Sequence, residues 1–209
     1  MHPQPKTLTR VLSALALSFA LGGLAACGND TYASETAQVS TTEHNAADIT
    51  FAESMIEHHA QALSMVDLTI GRDLDPEVRG LAEDIRAAQG PEIETMAEWL
   101  TTWGEDVPDA MRNLTDPRDD PSDTSEGTED MDEMPGMMTA DAMTALENAS
   151  DTDFQNMWLQ MMIEHHEGAV EMAETEQEEG QFKEAVDLAG LIADSQTQEI
   201  GTMKDLLDG

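Results

Sequence analysis

An eleven-residue histidine motif occurs twice in this chain, with the second copy 107 positions after the first. The copies are MIEHHAQALSM at 55–65 and MIEHHEGAVEM at 162–172. At about 100° per residue, the methionines, histidines and shared alanine of each copy fall on one helix face of about 120°. The same offset relates a further set of identical residues, namely Ala82, Ile85, Gln89, Glu92, Ile93, Met96 and Leu100 to Ala189, Ile192, Gln196, Glu199, Ile200, Met203 and Leu207. The repeat therefore predicts one helical hairpin used twice.

Two hairpins of amphipathic helices predict an all-α four-helix bundle, because each hairpin must bury its apolar stripe against the other. The expected helices span about 46–71, 75–103, 151–179 and 181–207, with a short helical stretch at about 139–148. Asp75 and Pro76 form a helix start signal, and Pro91 predicts a kink in the second helix. The bundle domain is thus 46–207, made of hairpins 46–103 and 139–207.

The level of each histidine pair along the bundle follows from the distance to its turn. In an up-down-up-down bundle both turns lie at the same end, so both histidine pairs reach one layer. The partner helices would bring Gln89, Glu92, Gln196 and Glu199 to that layer. These four residues are candidates to hydrogen-bond the histidines and fix their ring orientation.

The N-terminus predicts export. Lys6 and Arg10 precede an apolar run at 11–26 that ends in Leu-Ala-Ala before Cys27, as in a secretory signal. The ending resembles a bacterial lipobox, which implies that residues 1–26 are removed and that Cys27 is lipidated. The protein would then be anchored to the outer face of a bacterial cell membrane, with 27–45 as a flexible tether. The alternative is an ordinary secretory signal with a chance cysteine.

The charge narrows the class of ligand. The chain has 44 acidic and 9 basic residues, for a formal net charge of −35. Nucleic acid and anionic lipid surfaces are therefore poor partners, whereas cations are attracted. The single cysteine excludes a disulfide framework within the exported domain. No protein partner is indicated.

The segment 104–138 between the hairpins is rich in Asp, Glu, Pro, Ser and Thr, and it predicts a disordered acidic connector. It also carries Met131, Met134, Met137 and Met138. The alternative is that these methionines dock on the domain as an apolar patch.

Thioethers beside the histidines favour a soft metal ion. Di-iron carboxylate bundles place a glutamate three residues before a histidine, whereas here Met55 and Met162 precede His58 and His165. Thioether in place of carboxylate favours copper, especially Cu(I), over iron or zinc. Affinity should fall below about pH 6, because an imidazole must be neutral to ligate. The alternative is that the methionines fill the core and the histidines are structural.

The doubled MIEHH motif, the Gln-x-x-Glu-Ile-x-x-Met pattern of each partner helix and MPGMM at 134–138 resemble the domain-of-unknown-function 305 family. The resemblance covers about residues 46–207 and implies an exported, ferritin-like four-helix bundle, with copper binding in some members. The metal residues that it implies are His58, His59, His165, His166, Met55, Met65, Met162 and Met172. Gly90 and Pro91 depart from the smooth second helix of the family.

The leading hypothesis is a lipid-anchored, extracytoplasmic protein that captures or buffers copper. The alternatives are a ferritin-like iron oxidase that uses Glu92, Glu199 and the histidines, and an interaction module with structural histidines. No nucleophile and base arrangement for hydrolysis occurs in the motifs, so a binding protein is favoured over an enzyme.

Overall fold

The computed structural model describes residues 39–110 and 134–209, which form an all-α bundle. The helices are α1 (Ala46–Asp67), α2 (Pro76–Trp103), α3 (Ala140–Glu147), α4 (Asp151–Glu179) and α5 (Lys183–Asp208). The four long helices and the short one are those that the periodicity predicts. Helix α1 stops before the predicted position 71 because the N–H groups of Thr69 and Ile70 donate three residues back, which tightens the chain into a turn. Cys27, the signal and the tether before residue 39 lie outside the described residues.

Capping residues set several helix ends. Asn45 and Asp48 form a capping box at the start of α1, in which each side chain accepts a hydrogen bond from the backbone N–H of the other. Gly104 ends α2 with φ of 82°, a left-handed conformation that glycine adopts without strain. Asp75 is the N-cap residue of α2, as predicted, but its carboxylate makes no capping bond. It accepts a hydrogen bond from Gln155 Nε2 at 2.8 Å instead.

The two hairpins run in opposite directions, which corrects the up-down-up-down expectation. Trp158, early in α4, donates a hydrogen bond to the carbonyl of Met65, late in α1, at 3.0 Å. At the other end, Asn45 before α1 donates to the carbonyl of Glu179 at 2.9 Å. Helices α1 and α4 are therefore antiparallel, and the two hairpin turns lie at opposite ends. The long segment between the hairpins permits this arrangement, because it can travel the length of the bundle where a short turn could not.

The histidines nevertheless meet, because each pair lies near the middle of its helix. His58 is the thirteenth of the 22 residues of α1, and His165 is the fifteenth of the 29 residues of α4. Turning one helix end over end leaves its midpoint at the same level. The expected single layer of histidines is thus present. It results from the mid-helix position of both pairs and not from hairpin turns at the same end of the bundle.

Two apolar clusters lie on either side of this layer. One, towards the turn between α1 and α2, contains Met65, Val78, Trp158 and Met162 among its buried residues. The other, towards the turn between α4 and α5, contains Phe51, Met55, Leu100 and Ala189. Within residues 39–110 and 134–209, no helix is long and apolar enough to cross a membrane.

Residues 134–138, which we call the clasp, are folded against the bundle. The prediction of disorder across 104–138 is wrong for these five residues, because the side chain of Met138 is buried in an apolar cluster. Gln61 also binds the backbone of Met138 from both sides, donating to its carbonyl at 2.8 Å and accepting from its N–H at 2.7 Å. The alternative that the methionine segment docks on the domain is therefore correct for the clasp. Met131 lies outside the described residues.

Candidate metal centre

His58 and His165 form the middle of the buried polar layer. Their ring centroids are 3.7 Å apart and their planes are inclined by 40°. His58 is 0% exposed and His165 is 1% exposed. The sequence predicted that both residues reach one level, and the antiparallel packing of α1 and α4 brings their rings into contact.

The second histidine of each pair points to a carboxylate on its partner helix. His59 Nε2 donates to Glu92 Oε2 at 2.8 Å, and His166 Nε2 donates to Glu199 Oε2 at 2.7 Å. These contacts agree with the predicted role of the two glutamates as hydrogen-bond partners of the histidines. The glutamate side chains are only 19% and 18% exposed, so they hold the imidazoles from a partly buried position. Their distances match because the two hairpins have equivalent sequences.

The hydrogen-bond partners assign the ring nitrogens. A carboxylate only accepts, so Nε2 of His59 and of His166 carries the proton. His58 Nε2 lies 3.1 Å from the carbonyl oxygen of Pro135, which assigns the same tautomer to that ring. In a neutral imidazole the other nitrogen then has a free lone pair. The Nδ1 atoms of His58, His59 and His166 are buried without a hydrogen-bond partner, as are both ring nitrogens of His165.

Burial keeps the central pair neutral. Desolvation, followed by repulsion from His59, lowers the pKa of His58 to about 3, although the hydrogen bond to Pro135 acts in the opposite direction. Desolvation, followed by repulsion from His58, also lowers the pKa of His165 well below its usual 6.5. Neutral imidazoles are the form that binds metal ions. The expected loss of ligating ability below about pH 6 is therefore displaced to lower pH for these two residues.

The predicted methionines fall into two groups. Met55 and Met162 are fully buried and lie one helical turn before His58 and His165. Met65 and Met172 lie seven residues after the histidines, about 10 Å along the helix axis. Met65 packs in the apolar cluster around Trp158, and Met172 lines a cavity of about 360 Å³ at the other end of the bundle. All four methionines pack in the apolar clusters beside the polar layer, with Met65 and Met162 in one and Met55 and Met172 in the other, and Met55 and Met162 are the nearer two to the histidines along their helices.

Gln89 and Gln196 are each 2% exposed and lie in the partner helices. Both amide atoms of Gln89 and the oxygen of Gln196 are buried without a hydrogen-bond partner. An unpaired buried polar atom costs about 1–3 kcal/mol. The polar layer therefore has unused hydrogen-bonding and ligating capacity, which a bound ion with its water or the reoriented side chains would use.

The structure adds three residues that the sequence did not assign to the site, namely Pro135, Gln61 and Gly168. The carbonyl of Pro135 accepts from His58, and Gln61 anchors the clasp through Met138. Gly168 leaves room for the clasp, since a Cβ atom there would lie 2.0 Å from the carbonyl oxygen of Pro135. A glycine within a long helix, where the first repeat has glutamine, was the available signal.

The donors that converge are soft or borderline. Among residues 39–110 and 134–209, no group of three or more His, Cys, Asp or Glu residues is arranged to hold a metal ion. The site instead has two neutral imidazoles in contact and a buried thioether one turn from each. Such a set suits copper, and Cu(I) in particular, better than metals that prefer several oxygen ligands.

The chain resembles several proteins of one family. The family model described as "Domain of unknown function (DUF305)" matches residues 48–207. A DUF305 protein from Streptomyces coelicolor, assigned as secreted, is 33% identical with a TM-score of 0.63, and the match covers 78% of this chain and 92% of that one. A DUF305 fragment from Deinococcus radiodurans is 27% identical with a TM-score of 0.64, over 78% and 97% of the two chains.

A third similar structure is that of a protein named CopM. Its Cu(I)-bound form is 26% identical to this chain with a TM-score of 0.58, and the match covers 77% of this chain and 95% of that one. CopM has also been solved in Cu(II)-bound and silver-bound forms. No curated protein sequence matches the chain.

Proposed function

Because this chain belongs to the DUF305 family, we propose that it binds copper outside the cytoplasm, preferring Cu(I) at a site between His58 and His165. The observation that carries the proposal is the contact between these two buried rings, which have unpaired nitrogens. A buried polar atom without a partner is costly, and a metal ion is one partner that neutral imidazoles accept. His59 and His166 flank the pair and are the next candidates as ligands.

The thioether sulfurs give the proposed site its preference for Cu(I) over Zn(II). Met55 and Met162 precede the two histidines by one turn on antiparallel helices, which would bring one sulfur to each side of the pair. Sulfur ligands select Cu(I), whereas Zn²⁺ favours cysteine, histidine and carboxylate. The copper-bound and silver-bound forms of CopM support this reading, since Ag(I) is likewise a soft monovalent ion.

Glu92 and Glu199 support copper over iron. Each carboxylate is engaged with one imidazole on its own hairpin. The four carboxylates and two histidines of a di-iron bundle site have no counterpart in this layer, in the described part of the chain. The ligand set of the layer therefore favours copper binding over the alternative of a ferritin-like iron oxidase.

The proposed location is the outer face of the cell membrane. The apolar segment ending before Cys27 and the similarity to a Streptomyces coelicolor protein described as secreted support export. We propose that lipidated Cys27 tethers the domain to the outer face of the membrane, where it captures or buffers copper. The net charge of −35 attracts cations to the domain.

The test is a competition titration of the metal-free protein with Cu(I) and a calibrated Cu(I) chelator under reducing conditions. Parallel titrations use Zn(II) and Fe(II). We expect saturable Cu(I) binding and much weaker binding of the other two ions. Binding of Zn(II) as tight as that of Cu(I) would contradict the proposed soft site, and the absence of Cu(I) binding would overturn the function.

A further inference from the structure

The clasp breaks the symmetry of the repeat. Gln61 in the first copy and Gly168 in the second occupy equivalent positions. Gln61 makes two hydrogen bonds to Met138, whereas Gly168 provides space for Pro135. Helices α1 and α4 thus carry different residues at the two equivalent positions where the clasp contacts them. One position attaches the clasp and the other accommodates its close approach.

The clasp also contacts the candidate ligands. The carbonyl of Pro135 accepts a hydrogen bond from His58 Nε2 at 3.1 Å. Gly136 has φ of 74°, and a Cβ atom there would lie 2.9 Å from the carbonyl oxygen of His165. The backbone of the clasp therefore crosses from α4 to α1 against the two helix segments that carry the histidine pair. Among residues 39–110 and 134–209, the clasp is the segment that crosses the histidine pair in this way.

We propose that the clasp positions His58 and gates the histidine pair, an inference that rests on the proposed copper function. Pro135 holds the ring of His58 with its proton on Nε2, so that Nδ1 is the nitrogen left to bind an ion. An ion enters or leaves when the contacts of the clasp at Gln61 and Gly168 open. The clasp is a positioning element and supplies no electron or proton to the ion.

The contacts suit a segment that opens. Two hydrogen bonds from Gln61 and one from His58 attach the clasp backbone. The net contribution of two hydrogen bonds corresponds to roughly a ten- to hundredfold change in an opening equilibrium. Segments held by few bonds are those that open locally before the core does.

Two variants displace the clasp without changing a histidine. Gly168→Ala places a methyl group against the backbone of Pro135, and Gln61→Leu removes both bonds to Met138. Gly201→Ala is the matched control, because a Cβ atom on this α5 residue meets nothing within 4 Å. Both glycine substitutions raise helix propensity by a similar amount. Circular dichroism and thermal melting verify that each variant is folded.

The first readout needs no metal. Long-range ¹H–¹⁵N spectra report the tautomer of His58, and diethylpyrocarbonate labelling reports its accessibility, with His44 as a reference far from the clasp. We expect a protected Nε2–H ring in the wild type and the Gly201→Ala control. In the two clasp variants we expect a mixture of tautomers and at least about tenfold faster labelling, from the loss of two hydrogen bonds. Equal tautomer and labelling in all four proteins would overturn the inference.

The second readout is the rate at which a chelator removes bound Cu(I). We expect removal to be at least about tenfold faster in both clasp variants than in the wild type and the control. If the first readout shows a displaced clasp but the rate of Cu(I) removal is unchanged, the clasp does not gate the site, and the proposed copper function is unaffected. No Cu(I) binding by any of the proteins would overturn the proposed function, and the gate with it.

Discussion

His58 and His165 are equivalent residues of the two repeats, and their rings are 3.7 Å apart where antiparallel α1 and α4 meet. The two hairpins contribute equivalent neighbours to this pair, namely His59 with Glu92 and His166 with Glu199. An ion bound by the unpaired ring nitrogens of this pair would therefore meet the same residue types from both hairpins. The pair of central rings is thus formed by both hairpins, and neither hairpin contains it alone.

Replacing the central pair should remove tight copper binding. We expect His58→Ala with His165→Ala to lower the Cu(I) affinity by more than about a hundredfold. Loss of a residue that only hydrogen-bonds a metal ligand already lowers metal affinity by about 10–100-fold, and loss of the ligands themselves should cost more. Competition with a Cu(I) chelator measures the change. His44→Ala is the control, since His44 stacks on Trp103 at the end of the bundle. An equal loss in both proteins would assign the effect to stability and not to ligation.

The methionines near the pair should set metal preference. Met55→Leu with Met162→Leu keeps the volume of the core but removes both soft donors, so we expect Cu(I) affinity to fall by about tenfold or more and Zn(II) affinity to change little. The matched control is Met65→Leu with Met172→Leu, which lie about two turns from the histidines. If the control pair weakens Cu(I) binding as much as the first pair, the assignment of the nearby methionines is wrong.

Copper binding should persist in mild acid. An ordinary imidazole with a pKa of 6.5 is about 97% protonated at pH 5, whereas His58, with its pKa lowered to about 3, stays neutral there. We expect the intrinsic Cu(I) affinity to fall by less than about tenfold between pH 7 and pH 5, where two ordinary histidines would lose far more. The measurement is a chelator competition corrected for the protonation of the chelator.

The same shift affects the stability of the metal-free protein. A lowered pKa in the folded state means that the unfolded chain binds the extra proton. The contribution of His58 is therefore present above pH 6.5 and is lost as the pH falls towards 3. A melting temperature that is unchanged from pH 7 to pH 4 would contradict the burial of a neutral ring.

Glu176 should make the protein less stable in alkali. Burial, followed by a hydrogen bond to Asp48 and the charge of that residue, raises the pKa of Glu176 to about 9. The folded state thus keeps a proton that the unfolded chain releases above about pH 4.5. The stabilising contribution is complete below pH 4.5 and is lost as the pH rises through 9.

Glu176→Gln tests this linkage, because glutamine can still donate to Asp48 but does not titrate. We expect the melting temperature of the wild type to fall by about 5 °C more than that of the variant between pH 6 and pH 9. Asp48 itself accepts from the N–H groups of Gln181 and Phe182 at 3.0 and 2.8 Å, which ties the start of α1 to the turn before α5. Parallel pH profiles for the two proteins would show that Glu176 does not hold the proton.

Cys27→Ser should release the protein from membranes. Cys27 is the only cysteine in the chain, and it precedes the described residues, so its loss breaks no disulfide. We expect the variant in the soluble exported fraction with an unchanged melting temperature. Retention of a normally cleaved variant in the membrane fraction would contradict the lipid anchor.

Much of the fold was predictable from local pattern. The 3.6-residue periodicity and the turn signals between the helices located all four long helices, and the offset of 107 residues identified the hairpins as equivalent. The offset also indicated that His59 and Glu92 are related as His166 and Glu199 are, a relation that the distances of 2.8 and 2.7 Å reproduce. Each of these features depends on residues of a single hairpin. Such residues are close together in the sequence, so local pattern is sufficient to predict them.

The clasp could not be predicted in this way. Its residues lie in an acidic segment without apolar periodicity, and composition there favours disorder. What holds it is a set of contacts to Gln61, His58 and Gly168, which are 77 or 33 positions away from their partners in the clasp. Such contacts depend on the shape of the assembled bundle. The MPGMM motif and the single glycine in α4 were the traces of the clasp in the sequence, and they indicated docking only as an alternative to disorder.

The sequence alone determined which helices form, which face of each carries histidine and methionine, and that two equivalent hairpins must bury those faces together. Tertiary structure decided that the hairpins run in opposite directions and that the clasp packs against Gln61, His58 and Gly168. The physical reason is that helical periodicity is unchanged when a hairpin is turned end over end. Only the long connection and the packing between α1 and α4 distinguish the two directions.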